Sequence, residues 1–140
     1  MAAEPLSRDV LLIAADWHSR ALLLAELQEA GYDVMAVPGL RYGLRGVLRG
    51  QVSPRLVLVD VWRDDFATPE RLADLIRALP GVPVILLTGV FEREAYRPLE
   101  EHLAALLVRP LRIGEVVALV RSRLAAEGTD ERAGETHAAG

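Results

Sequence analysis

The 140-residue chain has no cysteine, no lysine and no asparagine, and only 5% of it is aromatic. Without thiols, disulfide frameworks, cysteine-ligated zinc and thiol nucleophiles are excluded. Every basic residue is arginine, which we read as a coding bias rather than a functional feature. Long apolar runs are missing too. The longest stretch free of Asp, Glu, Lys and Arg covers 14 residues, 78–91, and holds two prolines and two glycines, too short and too broken to span a bilayer. Residues 1–8 lack the basic, apolar, small-residue order of a secretory signal, so a cytoplasmic location is expected and no membrane partner. The 20 acidic residues outnumber the 16 basic ones, a formal charge of -4, which argues against nucleic acid as the main partner.

What the chain does have is apolar residues, 51% of the total, enough for the core of one globular domain. Strand-like apolar runs fall at 10–14, 32–37, 56–59, 84–87 and 106–108. Helical spacing fills the gaps. Leu23, Leu27 and Ala30 follow Asp16; a weaker helix, diluted by Gly43 and Gly46, spans 40–49; Thr68-Pro69-Glu70 opens a helix with Leu72, Leu75, Ile76 and Leu79 on one face. A poorly marked helix at 91–102 contains Pro98, and 113–126 is amphipathic through Val116, Val117, Val120 and Leu124. We divide the chain into an N-terminal extension (1–8), a domain (9–126) and a tail (127–140) expected to be disordered. Five buried strands alternating with helices require a parallel sheet covered on both faces, a doubly wound α/β fold. Chemistry in such sheets sits beyond the carboxyl ends of the strands, at Ala14, Ala15, Asp16, Asp60, Thr88, Arg109 and Pro110.

These strand ends resemble the receiver domain of two-component response regulators, over nearly the whole of 10–124. Leu56-Val57-Leu58-Val59-Asp60 resembles the third strand, which ends in the phospho-accepting aspartate. Pro83-Val84-Ile85-Leu86-Leu87-Thr88 resembles the fourth, whose terminal hydroxyl contacts the phosphoryl group, with Gly89 in the small-residue place after it. Val108-Arg109-Pro110-Leu111 resembles the fifth strand with its basic residue and cis proline, and Gly31-Tyr32-Asp33-Val34 the start of the second. The resemblance implies a flavodoxin-like sheet of order 2-1-3-4-5. It also implies a phosphorelay role, with a histidine kinase or a downstream target as protein partner. The surface of the fourth helix, fifth strand and fifth helix, where Arg97, Glu101, Glu115 and Arg121 fall, would then serve targets or a homodimer.

Departures from the family pattern decide the functional expectation. The two carboxylates that would help Asp60 hold Mg²⁺ are Ala14 and Ala15, the usual lysine is Arg109, and the aromatic switch position is Leu106. Methyl groups offer magnesium no oxygen, and phosphoryl transfer depends on positioning and charge stabilisation. We therefore expect a stand-alone adaptor that works without phosphorylation, is not an enzyme and needs no cofactor, with Arg109 clasping Asp60 bidentately in the vacated volume. The alternative is a working phospho-acceptor that recruits Asp16 or Asp64 to Mg²⁺. Asp16 also reads as a helix cap, Asp64 and Asp65 as solvated loop charges, Thr88 as an ordinary strand residue, and Trp62 as a shield for the pocket or a packing residue. Asp16-Trp17-His18 followed by Ala21 weakly resembles the cobalamin-binding signature, in which the histidine ligates cobalt. Arg41, Arg45 and Arg49, with Arg55 nearby, form one basic stripe, either a solvated face or a dock for an acidic partner or anionic ligand.

Overall fold

A computed structural model describes the backbone of residues 6–139 and the side chains of residues 6–126. The elements run β1 (Leu6–Ala14), α1 (Trp17–Glu29), β2 (Val34–Val37), α2 (Leu40–Leu48), β3 (Val52–Asp60), α3 (Pro69–Ala78), β4 (Val84–Thr88), α4 (Arg93–Tyr96), a 3₁₀ segment (Arg97–His102), β5 (Ala105–Val108) and α5 (Ile113–Ala139). All strand pairs are parallel and the sheet order is β2-β1-β3-β4-β5, the doubly wound arrangement expected from the sequence.

Alternation along each strand sends neighbours to opposite faces. Val10, Leu12, Leu56, Leu58, Ile85 and Leu87 pack under α1 and α5, on Leu23, Leu27, Val116, Val120 and Leu124. Leu11, Ile13, Val57, Val59, Val84 and Leu86 face the other way, onto Leu40, Leu44, Val47, Leu72 and Leu75 of α2 and α3 and onto Tyr96. Gly43, which weakens α2 in sequence terms, is what lets it approach. A Cβ there would sit 2.8 Å from Ile13 Cγ1 and closer still to Cδ1.

Four boundaries differ from the sequence reading. β1 begins at Leu6 and β3 at Val52, and these early residues pair with each other (Leu6 with Val52, Ser7 with Ser53, Arg8 with Pro54) before β2 and β4 join at Val10 and Val57. Residues 6–8 are therefore strand rather than extension, left exposed or half-exposed because few neighbours cover them. Pro54 is tolerated because β4 does not reach it. The helix expected at 91–102 is only one turn of α helix followed by the 3₁₀ segment with Pro98 near its start, because proline cannot donate within a helix. β2 is shorter than expected, four residues. The α5 backbone extends to Ala139; its side chains from 127 onward, residues 1–5 and Gly140 lie outside the described residues, and the expectation of a disordered tail at 127–140 falls there.

Candidate functional site

Register alone brings the candidate residues together. Ala14 pairs with Asp60, Asp60 with Leu87 and Thr88 with Val108, so the ends of β1, β3, β4 and β5 converge on one carboxylate. Asp60 is fully buried. Its Oδ1 accepts from Arg109 Nη1 at 2.8 Å and from the Trp62 backbone N–H at 3.0 Å, while Oδ2 accepts from Arg109 Nη2 at 2.5 Å. This is a fork-to-fork pair, the strongest geometry available to a guanidinium and a carboxylate. Arg109 is held from other sides too. Its Nη2 lies 3.4 Å from Ser19 Oγ, and its guanidinium carbon lies 4.4 Å from the centre of the Trp62 ring, leaving the side chain 17% exposed. Arg63, a non-glycine residue in the left-handed region (φ 58°), sets its own guanidinium over the same ring at 4.1 Å.

The carboxyl end of β1 holds a contact that no motif announces. Arg20, one turn into α1, donates through Nη1 to the carbonyls of Ala14 at 2.8 Å and Ala15 at 3.3 Å. A second guanidinium thus stands at the very positions that lack carboxylates. The signal was present in the spacing: side chains on a helix lean toward its N-terminus, so a long residue one turn into α1 reaches back to the strand end.

The two carboxylates considered as relocated metal ligands are engaged elsewhere. Asp16 caps α1, accepting from Ser19 N–H at 3.0 Å, and its other oxygen lies 3.5 Å from Arg63. The Ser19 amide, followed by the Ser19 hydroxyl, Arg63 and His18, holds its pKa below the ordinary 3.8 against the opposing effect of burial. Asp64 is half-buried rather than a solvated loop charge. It accepts from the Leu40 N–H at 2.8 Å and the Phe66 N–H at 3.1 Å, so it caps α2, whose own N-cap is Gly39 and has no side chain to offer. Asp65 is exposed. Magnesium asks for near-octahedral oxygens; the side chains of Ala14 and Ala15 supply none, and both Asp60 oxygens face the Arg109 guanidinium, whose charge opposes a cation there. These residues do not fit the ion. Among the described residues, no group of three or more His, Cys, Asp or Glu is arranged to hold a metal.

The remaining candidates are placed as follows. Thr88 is fully buried and its hydroxyl donates to the Gly89 carbonyl at 3.2 Å. Leu106 is half-buried and lines a cleft with Val90, Arg93 and Arg97. The Arg109–Pro110 peptide bond is cis. His18 is exposed and meets Trp17 edge-on at 5.6 Å, while Asp16 spends its oxygens on Ser19 and Arg63. On the α4–β5–α5 side, Arg97 pairs with Glu94, Glu101 with His102 and Glu115 with Arg112, all at solvent-exposed positions. Arg121 is exposed. A cleft of about 570 Å³ opens beside the Asp60–Arg109 pair, walled by Trp17, Trp62, Arg63 and Leu111.

With that geometry established, comparison with solved structures is informative. A response regulator receiver domain protein from Clostridium thermocellum superposes with a TM-score of 0.74 at 18% identity, covering 87% of this chain and 98% of that one. A CheY-like receiver domain protein from Methanospirillum hungatei JF-1 gives 0.74 at 19% identity, covering 89% and 99%. The fold is that of a receiver domain. A protein described as an adenylate cyclase from Rhodopirellula baltica shares it, with a TM-score of 0.76 at 15% identity over 94% of this chain and 97% of that one. No family model matches the chain, and no curated protein does. No described helix is long and apolar enough to cross a membrane.

Proposed function

We propose that this receiver-fold chain is a signalling adaptor: a module of two-component type that binds a protein partner in one fixed state, without phosphoryl control, catalysis or a cofactor. The observation that carries this reading is the Asp60–Arg109 pair. To attack a phosphoryl donor, a carboxylate oxygen needs an exposed lone pair and an electrophile held in line. Both Asp60 oxygens are instead buried and turned to a guanidinium. The positive charge that would stabilise a transferring group is already neutralised by the nucleophile itself. Arg109 thus stands where a metal would otherwise set the geometry, and the Thr88 hydroxyl is turned to a backbone carbonyl. Trp62 and Ser19 hold Arg109 in place, which favours one persistent arrangement of the β3–α3 loop.

On this reading the partner is a histidine kinase or a downstream target, and a homodimer through α4, β5 and α5 is a further possibility to be tested by sedimentation. The deciding experiment is intact mass after incubation with acetyl phosphate and Mg²⁺, with Asp60→Ala alongside. The adaptor reading expects no phosphoryl adduct on either chain, with both folded by circular dichroism. An adduct on the parent alone would replace it with the phospho-acceptor reading.

A further inference from the structure

We infer that the outer face of α2, the Arg41–Arg45–Arg49 stripe, is a docking surface for an acidic protein segment. The inference names the surface the adaptor reading calls for, and rests on that reading for its partner being a protein. Seven of the described arginines, Arg8 and Arg109 among them, pair with a carboxylate. Of the other described arginines, Arg20 and Arg123 bond backbone carbonyls, whereas Arg41, Arg45 and Arg49 stand together on one helix face without a carboxylate partner among the described residues, as does Arg71 at the start of α3.

Three of these four cations are held in place. Arg41 and Arg71 both lie over the Phe66 ring, at 4.9 and 3.9 Å, Arg45 lies 5.7 Å from the Tyr42 ring, and Arg71 also donates to the Phe66 carbonyl at 2.7 Å. Stacking restrains the side chains without neutralising them, so less rotamer freedom is lost when a carboxylate arrives. Apolar contact area sits among the charges. Tyr42 is 47% and Leu48 64% exposed on the same face, while Leu40, Gly43, Leu44 and Val47 are turned inward. Arginine and tyrosine side by side are the composition of a binding hot spot rather than of a merely solvated helix, and Leu48 adds apolar contact area around them. The stripe spans about 12 Å along the helix, the reach of carboxylates one and two turns apart on a partner helix. It is also tied to the site described above: Asp64 and Phe66, from the loop that begins at Asp60, cap α2 and hold Arg41. The stripe is thereby presented in the geometry of the locked loop.

The test uses the full chain and a synthetic helical peptide of glutamate and leucine with glutamates four residues apart, followed by amide NMR shifts and by titration calorimetry at low and high salt. Shifts should concentrate at residues 41–49, 66 and 71, and affinity should fall about tenfold or more in high salt. Arg41→Glu/Arg45→Glu/Arg49→Glu should weaken binding about a hundredfold. Arg93→Glu/Arg121→Glu, reversing two arginines that also lack a carboxylate partner among the described residues but lie elsewhere, should change it less than about twofold. Since the triple change is on an exposed face, circular dichroism should show an unchanged fold, and Arg45→Glu alone gives the same sign if it does not. Shifts spread over other surfaces, equal losses in the control pair, or tighter binding of duplex DNA or phosphatidylserine vesicles at these residues would overturn the inference. A phosphoryl adduct on Asp60 would overturn the adaptor reading instead, with the peptide data standing apart from it.

Discussion

Replacing Arg109 by alanine should cost this protein about 3 kcal/mol of stability, and the reason is the charge left behind rather than the contact removed. Asp60 has 1% of its side chain exposed, so once the guanidinium is gone a carboxylate remains buried with one backbone N–H, that of Trp62, as its named support. Unit charges in contact attract by about 4 kcal/mol at an effective dielectric near 20, and breaking a buried pair by removing one partner costs about 3–5 kcal/mol. The lower end applies because Arg109 itself is 17% exposed, so water can follow into the space it vacates. At about 3 °C per kcal/mol for a chain of this size, the midpoint should fall by about 9 °C. Asp60→Ala/Arg109→Ala, which removes both charges, should be about 1–2 kcal/mol more stable than Arg109→Ala alone. Urea unfolding followed by circular dichroism gives the four corners of the cycle. Fluorescence adds a local readout, since one of the two tryptophans, Trp62, lies against Arg109. If Arg109→Ala stays within about 1 kcal/mol of the parent, or the double variant is no more stable than the single, the pair does not hold the site by charge and the lock argument fails.

Gly43→Ala and Gly46→Ala should act in opposite directions although they lie one turn apart on α2. The first drives a methyl into the fully buried Ile13 and should cost about 1–2 kcal/mol, whereas the second finds Val52 Cγ1 at an ordinary 3.6 Å and should gain about 0.5 kcal/mol from helix propensity; thermal melts decide. Asp64→Ala should cost about 1 kcal/mol by uncapping α2, and amide exchange at Leu40 should accelerate selectively. Burial, with Asp64, Glu92 and Glu70 nearby, pushes the Tyr96 phenol up to about 12 from an ordinary 10.0. The unfolded chain then loses that proton first, so stability falls as pH rises from 10 towards 12. Ultraviolet titration of Tyr96→Phe against the parent isolates this residue.

The sheet was legible because its strands are continuous apolar runs, and their buried alternation needs no partner information to be recognised. Asp16 was legible as a cap because the donor it accepts from, the Ser19 amide, is three residues away. Asp64 was not, since the amide it caps belongs to Leu40, 24 residues earlier, and a capping carboxylate that reaches across the fold looks in sequence like any loop aspartate. Arg109 facing Asp60 could be anticipated from strand ends meeting. Trp62 as a platform for two guanidinium groups could not, because the turn that aims it includes a left-handed Arg63. The helix expected at 91–102 failed for a local reason. Its apolar residues have no helical period, and Pro98 divides what period there is.

The paired overhang of β1 and β3 has a consequence for life at high concentration. Beyond the reach of β2 and β4, residues 6–8 and 52–55 present outer edges that a neighbouring chain could pair with, the usual template for unwanted sheet growth. On the β3 side Pro54 lacks the hydrogen such growth would use, and Arg55 reaches across to Asp9 at 3.3 Å. On the β1 side Arg8 is bonded to Asp33 at 2.7 Å, and Asp9 takes the Asp33 amide at 2.8 Å. Charge and proline therefore stand at the overhang where regular apolar strand would invite self-assembly, and the features that hid these residues from a strand reading are the ones that guard the edge against sheet growth.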